Sequence, residues 1–249
     1  MTLDDARAGV TARLRQVRAR LREAEGAAGR DPGSVRLLLA TKTVPAELVR
    51  AAVEADSADV HAAGAGSPVL LGENRVQELV AKAPVLTDLA AELHLIGPLQ
   101  SNKVNHALRW ATCVESVDSL ELARRLSERC VATARKVDVL VQVNVSGEPT
   151  KRGVAPEEAL GLATDVAALP ALRLRGLMTI GANSTDPGLV RAGYARLRSL
   201  RDDLVASGAP GTDGATGLSM GMSGDLELAV AEGATVVRIG TAVFGSRTL

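Results

Sequence analysis

The sequence predicts an α/β fold, a single (β/α)8 barrel of the TIM type with an extra N-terminal helix. Three observations carry that prediction. The chain has 249 residues, the usual length of one such barrel. Short apolar strand patterns alternate with helical patterns in about eight strand–loop–helix units. No long linker or sequence repeat separates these units, so residues 1–249 are expected to form one domain rather than two.

The first segment is helical, because Val10, Leu14, Val17 and Leu21 fall on one stripe. Its arginines (Arg7, Arg13, Arg15, Arg18 and Arg20) read as a solvated face among Asp and Glu. With no continuous apolar segment or small-residue cleavage site, this is not a secretory signal. Asp31-Pro32-Gly33 marks a turn, and Val35–Thr41 is a near-continuous apolar strand, as a parallel strand covered on both faces requires. Lys42 ends it, on the same face as Leu38 and Ala40 by period-2 alternation, and Pro45 opens a helix through Ala55. The glycine- and alanine-rich Asp56–Pro68 stretch reads as a loose loop.

The second strand, Val69–Leu71, leads into Gly72-Glu73-Asn74-Arg75, with a helix from Val76. The third is Leu93–Ile96, after which Ser101 is expected to cap a helix. Cys113–Val117 is the fourth, and Asp118 with Glu121 has capping-box spacing. Val137–Val145 is the fifth, with Asn144 near its end, followed by a helix over Pro156–Leu169. Leu172–Ile180 is the sixth, followed by a helix over Leu189–Ala206. Gly217-Leu218-Ser219 reads as a short strand ending in a glycine- and serine-rich turn. Asp225–Glu232 has helical spacing, with Ser223 as candidate N-cap and Gly233 at the stop position. The last strand begins at Val236, contains Arg238 and closes on Gly240-Thr241.

Composition narrows the function. Hydrophobic residues make up 46 %, yet no run reaches membrane-spanning length, so a soluble protein is expected. Net charge is zero and the aromatics are only Trp110, Tyr194 and Phe244, which argues against nucleic-acid binding. Cys113 and Cys130 are isolated and read as reduced thiols in a cytosolic protein, while His61, His94 and His106 lack metal-ligand spacing.

Chemistry concentrates in a few residues. The small, hydroxyl-bearing loops after the last two strands expose backbone N–H groups suited to a phosphate, and a barrel often binds phosphate there. An ammonium in an apolar barrel mouth, as predicted for Lys42, is desolvated toward the neutral amine that attacks an aldehyde; a surface-pointing or ion-paired lysine is the plain alternative. Arg238, within an apolar strand, needs an acceptor, and a structural carboxylate is its plain alternative. Amine, ring-nitrogen partner and phosphate cup together are what pyridoxal phosphate requires.

The motifs Leu38-Leu39-Ala40-Thr41-Lys42-Thr43, Gly72–Glu78, His94–Lys103, Arg175–Ile180, Leu218–Ser223 and Val237–Gly245 occur in order along nearly the whole chain. In these the sequence closely resembles the pyridoxal phosphate homeostasis protein family, related to the N-terminal barrel of alanine racemase. The resemblance implies that Lys42 forms the internal aldimine and that Arg238 faces the pyridine nitrogen. It further implies that Ser219, Gly240 and Thr241 contact the phosphate and that Asn74 lines the pocket. The chain departs from the family at Leu71, Arg75 and Val44, where an aromatic residue, a tyrosine and a second lysine are often found. Lys151 matches a family lysine and is a candidate for cofactor exchange, although Lys103 and Lys151 otherwise read as solvated.

His94 is expected to be a hydrogen-bonded interior residue, Glu73 to pair with a cation, and Met178, Met220 and Met222 to fill gaps. The family implies a carrier or buffer of the aldehyde, cytoplasmic and without a known turnover reaction, with apoenzymes that use pyridoxal phosphate as recipients. A pyridoxal phosphate-dependent amino-acid racemase is the alternative, but it needs a second base, and Tyr194 is predicted on a helix between strands. A Schiff-base aldolase acting on a phosphorylated substrate leaves Arg238 unexplained. With the chain ending at Leu249, no racemase second domain is expected, and a monomer is.

Overall fold

The computed structural model describes residues 2–63 and 66–245. After helix α1 (Leu3–Ala27) come β1 (Arg36–Ala40), α2 (Ala46–Ala63), β2 (Leu70–Glu73), α3 (Val76–Leu86), β3 (Leu93–Leu95), α4 (Val104–Leu108) and β4 (Cys113–Val117). They are followed by α5 (Leu120–Ala132), β5 (Val137–Gln142), α6 (Pro156–Ala167), β6 (Leu172–Met178), α7 (Pro187–Ala206), β7 (Gly217–Ser219), α8 (Leu226–Ala231), β8 (Val236–Ile239) and α9 (Thr241–Phe244). Each strand pairs in parallel with the next, and β8 closes on β1 with Leu38 opposite Arg238. The predicted barrel is the observed one.

Strand alternation divides the interior into two layers. Leu37, Leu39, Leu71, Leu95, Val139, Val141, Val237 and Ile239 point outward into one core shared with the helices. The opposite set, including Cys113, Leu140 and Met178, forms a separate cluster inside the barrel. His94, Glu115, Gln142, Ser219 and Arg238 are buried with them, so the barrel interior is far more polar than the shell around it.

Several local expectations are corrected. Asp56–Ala63 is not a loop but the second half of α2. Asp56 is buried because Arg18 of α1 forks onto both its oxygens (2.7 and 2.8 Å), and it also accepts the Val69 amide. The rest of that stretch falls partly outside the described residues. Ser119, not Asp118, caps α5, its hydroxyl accepting from Leu122 N–H. Ser101 opens a short 3-10 turn, and α8 starts at Leu226 with Asp225, not Ser223, at the N-cap. The arginines of α1 are not a free solvated face. Arg13 donates to the Val243 carbonyl, Arg15 pairs with Asp59, and Arg20 pairs with Glu227, so the helix is strapped across α2, α8 and α9. Among the described residues no helix is long and apolar enough to cross a membrane.

Candidate functional site at the C-terminal end of the barrel

In a parallel barrel every strand delivers its following loop to the same end. There the turn after β1 carries Lys42, the turn after β2 carries Asn74, and the turns after β7 and β8 carry Gly221–Gly224 and Gly240-Thr241. Because β1 pairs with β8, Leu39 opposite Ile239, the Lys42 turn and the Gly240 turn are neighbours. Thr241 Oγ1 donates to Ser223 Oγ at 3.4 Å, joining the last two loops. Residues some two hundred positions apart in the chain thus share one rim.

Lys42 lies just beyond β1, and its side chain is exposed. The expected apolar, desolvated setting is therefore corrected. The turn around it is held firmly. Thr43 has φ of 61°, a strained value for a β-branched residue, and its N–H donates to Glu78 Oε2 at 2.6 Å. Lys82 on α3 donates to the Thr41 carbonyl (2.6 Å) and to Glu73 Oε1 (2.8 Å), and Thr41 Oγ1 donates to the same Glu73 oxygen. Burial pushes the Glu73 carboxyl above its ordinary value despite Lys82 and Thr41. Burial also acts against charge on Glu78, but the Thr43 amide and Lys82 outweigh it and leave that carboxyl low. Glu73 pairs with a lysine, as its sequence context suggested, and together these groups fix the position of Lys42 from outside the barrel.

Inside the barrel a second chain of polar groups crosses from β3 to β8. His94 Nδ1 lies 2.6 Å from Glu115 Oε1, and Ser219 Oγ donates to Glu115 Oε2 at 2.6 Å. Arg238 Nη1 donates to Ser219 Oγ at 2.8 Å and Nη2 to the Thr179 carbonyl at 2.6 Å. Burial opposes a charged imidazole, but Cys113, Glu115 and Glu92 outweigh it and hold the His94 pKa well above the ordinary value. Burial likewise opposes the Glu115 carboxylate, yet His94, Arg238 and Ser219 bring it below its ordinary value. Burial lowers Arg238 from its usual value, with Glu115 pulling the other way, and raises the Cys113 thiol. The row runs imidazole ring, carboxylate, hydroxyl, guanidinium beneath the rim. His94 is the interior hydrogen-bonded residue expected of it.

Glu115 was missed by sequence reasoning. It faces inward on a strand whose only visible signals were its apolar neighbours, and its partners come from three other strands. His94, Cys113 and Glu115 also form a cluster whose donor atoms lie within 4.8 Å of one another, which no sequence spacing revealed. The 2.6 Å His94–Glu115 contact is a hydrogen bond within the row.

Ser219 departs from the phosphate role expected of it. Its hydroxyl is fully buried and committed to Glu115 and Arg238, below the rim. The exposed hydroxyl of that region belongs to Thr241, beside Ser223. Ser223, Gly224, Gly240 and Thr241 present backbone N–H groups that donate to no acceptor among the described residues. Asn74 is half-buried, and its carbonyl presses on Gly97 so closely that a Cβ there would lie 2.1 Å away. Met178 and Met220 are core, while Met222 is exposed on the rim. Lys151 is not solvated, because it donates to Glu148 (2.6 Å) and to the Gly181 carbonyl (2.7 Å). Tyr194 is fully buried on α7 with its hydroxyl on Asp225 at 2.7 Å.

Residues 12–248 match the family described as alanine racemase, N-terminal domain. The pyridoxal phosphate homeostasis protein of Pseudomonas aeruginosa is 47% identical over 234 residues, 94% of each chain. This chain belongs to the pyridoxal phosphate homeostasis protein family. A crystal structure of an unknown protein from Bifidobacterium adolescentis is similar with a TM-score of 0.89 and 42% identity, covering 98% of both chains. PipY of Synechococcus elongatus, in a structure with PLP bound, is similar with a TM-score of 0.77 and 34% identity, covering 95% of this chain and 100% of that one. All six motifs quoted from the sequence lie within the family match.

Proposed function

We propose that this chain, as one barrel domain, holds pyridoxal phosphate covalently on Lys42 and serves to store or deliver it in the cytoplasm, without a turnover reaction of its own. The observation that carries this reading is the shared rim. An exposed amine and two loops whose amides are unengaged among the described residues sit together above a buried guanidinium. That donor set fits the cofactor. Bound there, pyridoxal phosphate supplies an aldehyde that condenses with a primary amine with loss of water.

The chain's own groups do the rest. Lys42 offers the amine from a turn that Glu78 and Lys82 hold in place. Arg238, oriented by Ser219 and Thr179, presents a permanent positive charge to a ring nitrogen and keeps that nitrogen unprotonated. Gly240 and Thr241, with Ser223 and Gly224, hold the phosphate, and Asn74 closes the side of the pocket. Ser219 contributes through Arg238 rather than by touching the phosphate.

A racemase would need a second base facing the substrate. Tyr194, the one tyrosine of the sequence, is buried, and desolvation followed by its bond to Asp225 raises its pKa far above the ordinary value, which supports the carrier reading. The protein is proposed to act as a monomer, with apoenzymes that require pyridoxal phosphate as recipients. Purified protein mixed with pyridoxal phosphate should turn yellow, lose the colour on borohydride reduction and carry the pyridoxyl mass on the Lys42 peptide. The loaded protein should restore activity to a cofactor-free apoenzyme. Rapid exchange of the α-hydrogen of alanine or serine with solvent would overturn the carrier reading in favour of the racemase.

A further inference from the structure

The loop after β7 is gripped from behind at two points. Arg20 of α1 donates Nη1 to the Ser223 carbonyl at 2.8 Å, while its Nη2 pairs with Glu227 of α8 at 2.6 Å. Asp225 accepts the Met222 amide on Oδ1 at 2.6 Å and the buried Tyr194 hydroxyl on Oδ2 at 2.7 Å. Gly221 turns the chain at φ +89°, where a Cβ would also meet the Ala229 side chain at 2.3 Å, so only glycine starts the turn this way.

These contacts have a geometric consequence. A trans peptide unit points its carbonyl and its N–H in opposite directions. Holding the Ser223 carbonyl on α1 therefore turns the Gly224 N–H away from α1. Asp225 removes the Met222 amide from competition, and the Ser223 and Gly224 amides are left without acceptors among the described residues. Every one of these grips is made by groups of the chain itself. A turn held by the chain's own groups in this way meets less of the ordering cost that a loose loop meets on binding.

The geometry points to Arg20 and Asp225 as positioning residues that hold the Met222–Gly224 turn in its phosphate-receiving shape. They thereby set the preference of the site for a phosphorylated aldehyde over the same aldehyde without its phosphate. This rests on the function proposed above. Neither residue touches the amine at Lys42, so the covalent step with an unphosphorylated aldehyde does not depend on them.

Absorbance titrations with pyridoxal phosphate and with pyridoxal, on wild type, Arg20→Met, Arg20→Lys, Glu227→Gln and Asp225→Ala, test it. Arg20→Met and Asp225→Ala should each weaken pyridoxal phosphate binding about tenfold, a loss of about 1.4 kcal/mol, and leave pyridoxal binding unchanged. Arg20→Lys, which still reaches a carbonyl with one donor, should recover most of the loss. Glu227→Gln cuts the α1–α8 ion pair but keeps the Arg20 contact to Ser223, and should bind both ligands like wild type. Equal weakening for both ligands, or a Glu227→Gln protein that behaves like Arg20→Met, overturns the inference, because Arg20 would then serve only to dock α1. A wild type that prefers pyridoxal phosphate by a margin unchanged in Arg20→Met and Asp225→Ala overturns this inference alone. A wild type that takes up neither ligand removes the proposed function as well.

Discussion

The two ends of this barrel differ in the polar groups they leave free. Towards the N-terminal end, Arg36 pairs with Glu92 at 2.7 Å, and Asp138 receives both Arg173 and Arg175, the latter at 2.9 Å. At the C-terminal end Lys42 is exposed and, among the described residues, has neither an ion-pair nor a hydrogen-bond partner. Among the described residues, four backbone amides of the neighbouring loops are likewise unengaged. A partly exposed ion pair contributes little to stability, so the closed end gains mainly order from its pairs. An unpaired ammonium in water costs nothing to the fold and remains available. The N-terminal pairs are structural, whereas the exposed amine of Lys42 and the loop amides beside it are where a ligand can replace water. Between the two lies the buried His94–Glu115–Ser219–Arg238 row, which is neither free nor exposed and in which burial opposes the charge of His94, Glu115 and Arg238.

The largest effect expected is at the open end. Lys42→Ala should abolish borohydride-fixable cofactor completely. Retention through the phosphate loops should persist at roughly 100-fold weaker affinity, a change of about 2.7 kcal/mol. Equilibrium dialysis against pyridoxal phosphate reads this directly. Complete loss of retention would mean that the loops contribute little and that the open end depends on the amine alone. The melting temperature without cofactor should not change, since the side chain supports nothing in the fold.

Next comes the buried row. Glu115→Ala strips His94 and Arg238 of their shared anion, and removing one member of a buried charged network costs about 3–5 kcal/mol. Urea unfolding without cofactor should show that loss, in contrast to Lys42→Ala. A change under about 1 kcal/mol would show that water or neighbouring dipoles already compensate these charges.

The same row predicts a pH dependence. The folded pKa of His94 lies above its unfolded value, so its contribution is complete below the ordinary histidine range and is lost as pH rises through the folded value. The folded pKa of Glu115 lies below its unfolded value, so its contribution is present above the ordinary carboxylate range and is lost as pH falls through the folded value. Stability should therefore be greatest between those two limits. The advantage of wild type over His94→Gln should be full near pH 5.5 and shrink steadily above neutral pH, as read by urea midpoints across that range. An advantage that grows with pH would mean that His94 is neutral in the folded protein.

Much of this arrangement could be read from the chain, and the reasons differ by element. The strands were visible because both-face burial leaves unbroken apolar runs such as Leu37-Leu38-Leu39. Lys42 and Arg238 stood out as single charges in those runs. The second half of α2 was hidden because its stabilising partner is Arg18, on another helix, while local composition there suggests a loop. Glu115 was hidden for a similar reason. A carboxylate on a strand gives no local sign of which face it occupies, and its partners His94, Ser219 and Arg238 converge only when the barrel closes. Ser219 was legible as part of a motif but not in its role, since a hydroxyl at a strand end can point up into the rim or sideways into the row. The Arg20–Ser223 contact could not be anticipated from amphipathicity, which sorts helix residues by face but does not name what lies opposite.

The smallest effect is predicted at the closed end and is the sharpest test of the contrast. Asp138→Asn removes the anion that two arginines share, with Arg173 and Arg175 each half exposed. Partly solvated pairs of this kind are worth about 0.5–1 kcal/mol, and the two arginines left behind repel each other through water. Raising the salt concentration from 0.1 to 1 M shortens the screening length from about 10 to about 3 Å, so it should recover part of the loss. Cofactor affinity should be unchanged, because Asp138 lies at the far end from the rim and the buried row intervenes. If Asp138→Asn instead weakened pyridoxal phosphate binding as much as it lowered stability, the row would be transmitting strain along the barrel axis, and the division of labour between the ends would fail. Additivity of Asp138→Asn with Lys42→Ala in a double variant reads the same point independently, since sites without shared partners add within a few tenths of a kcal/mol.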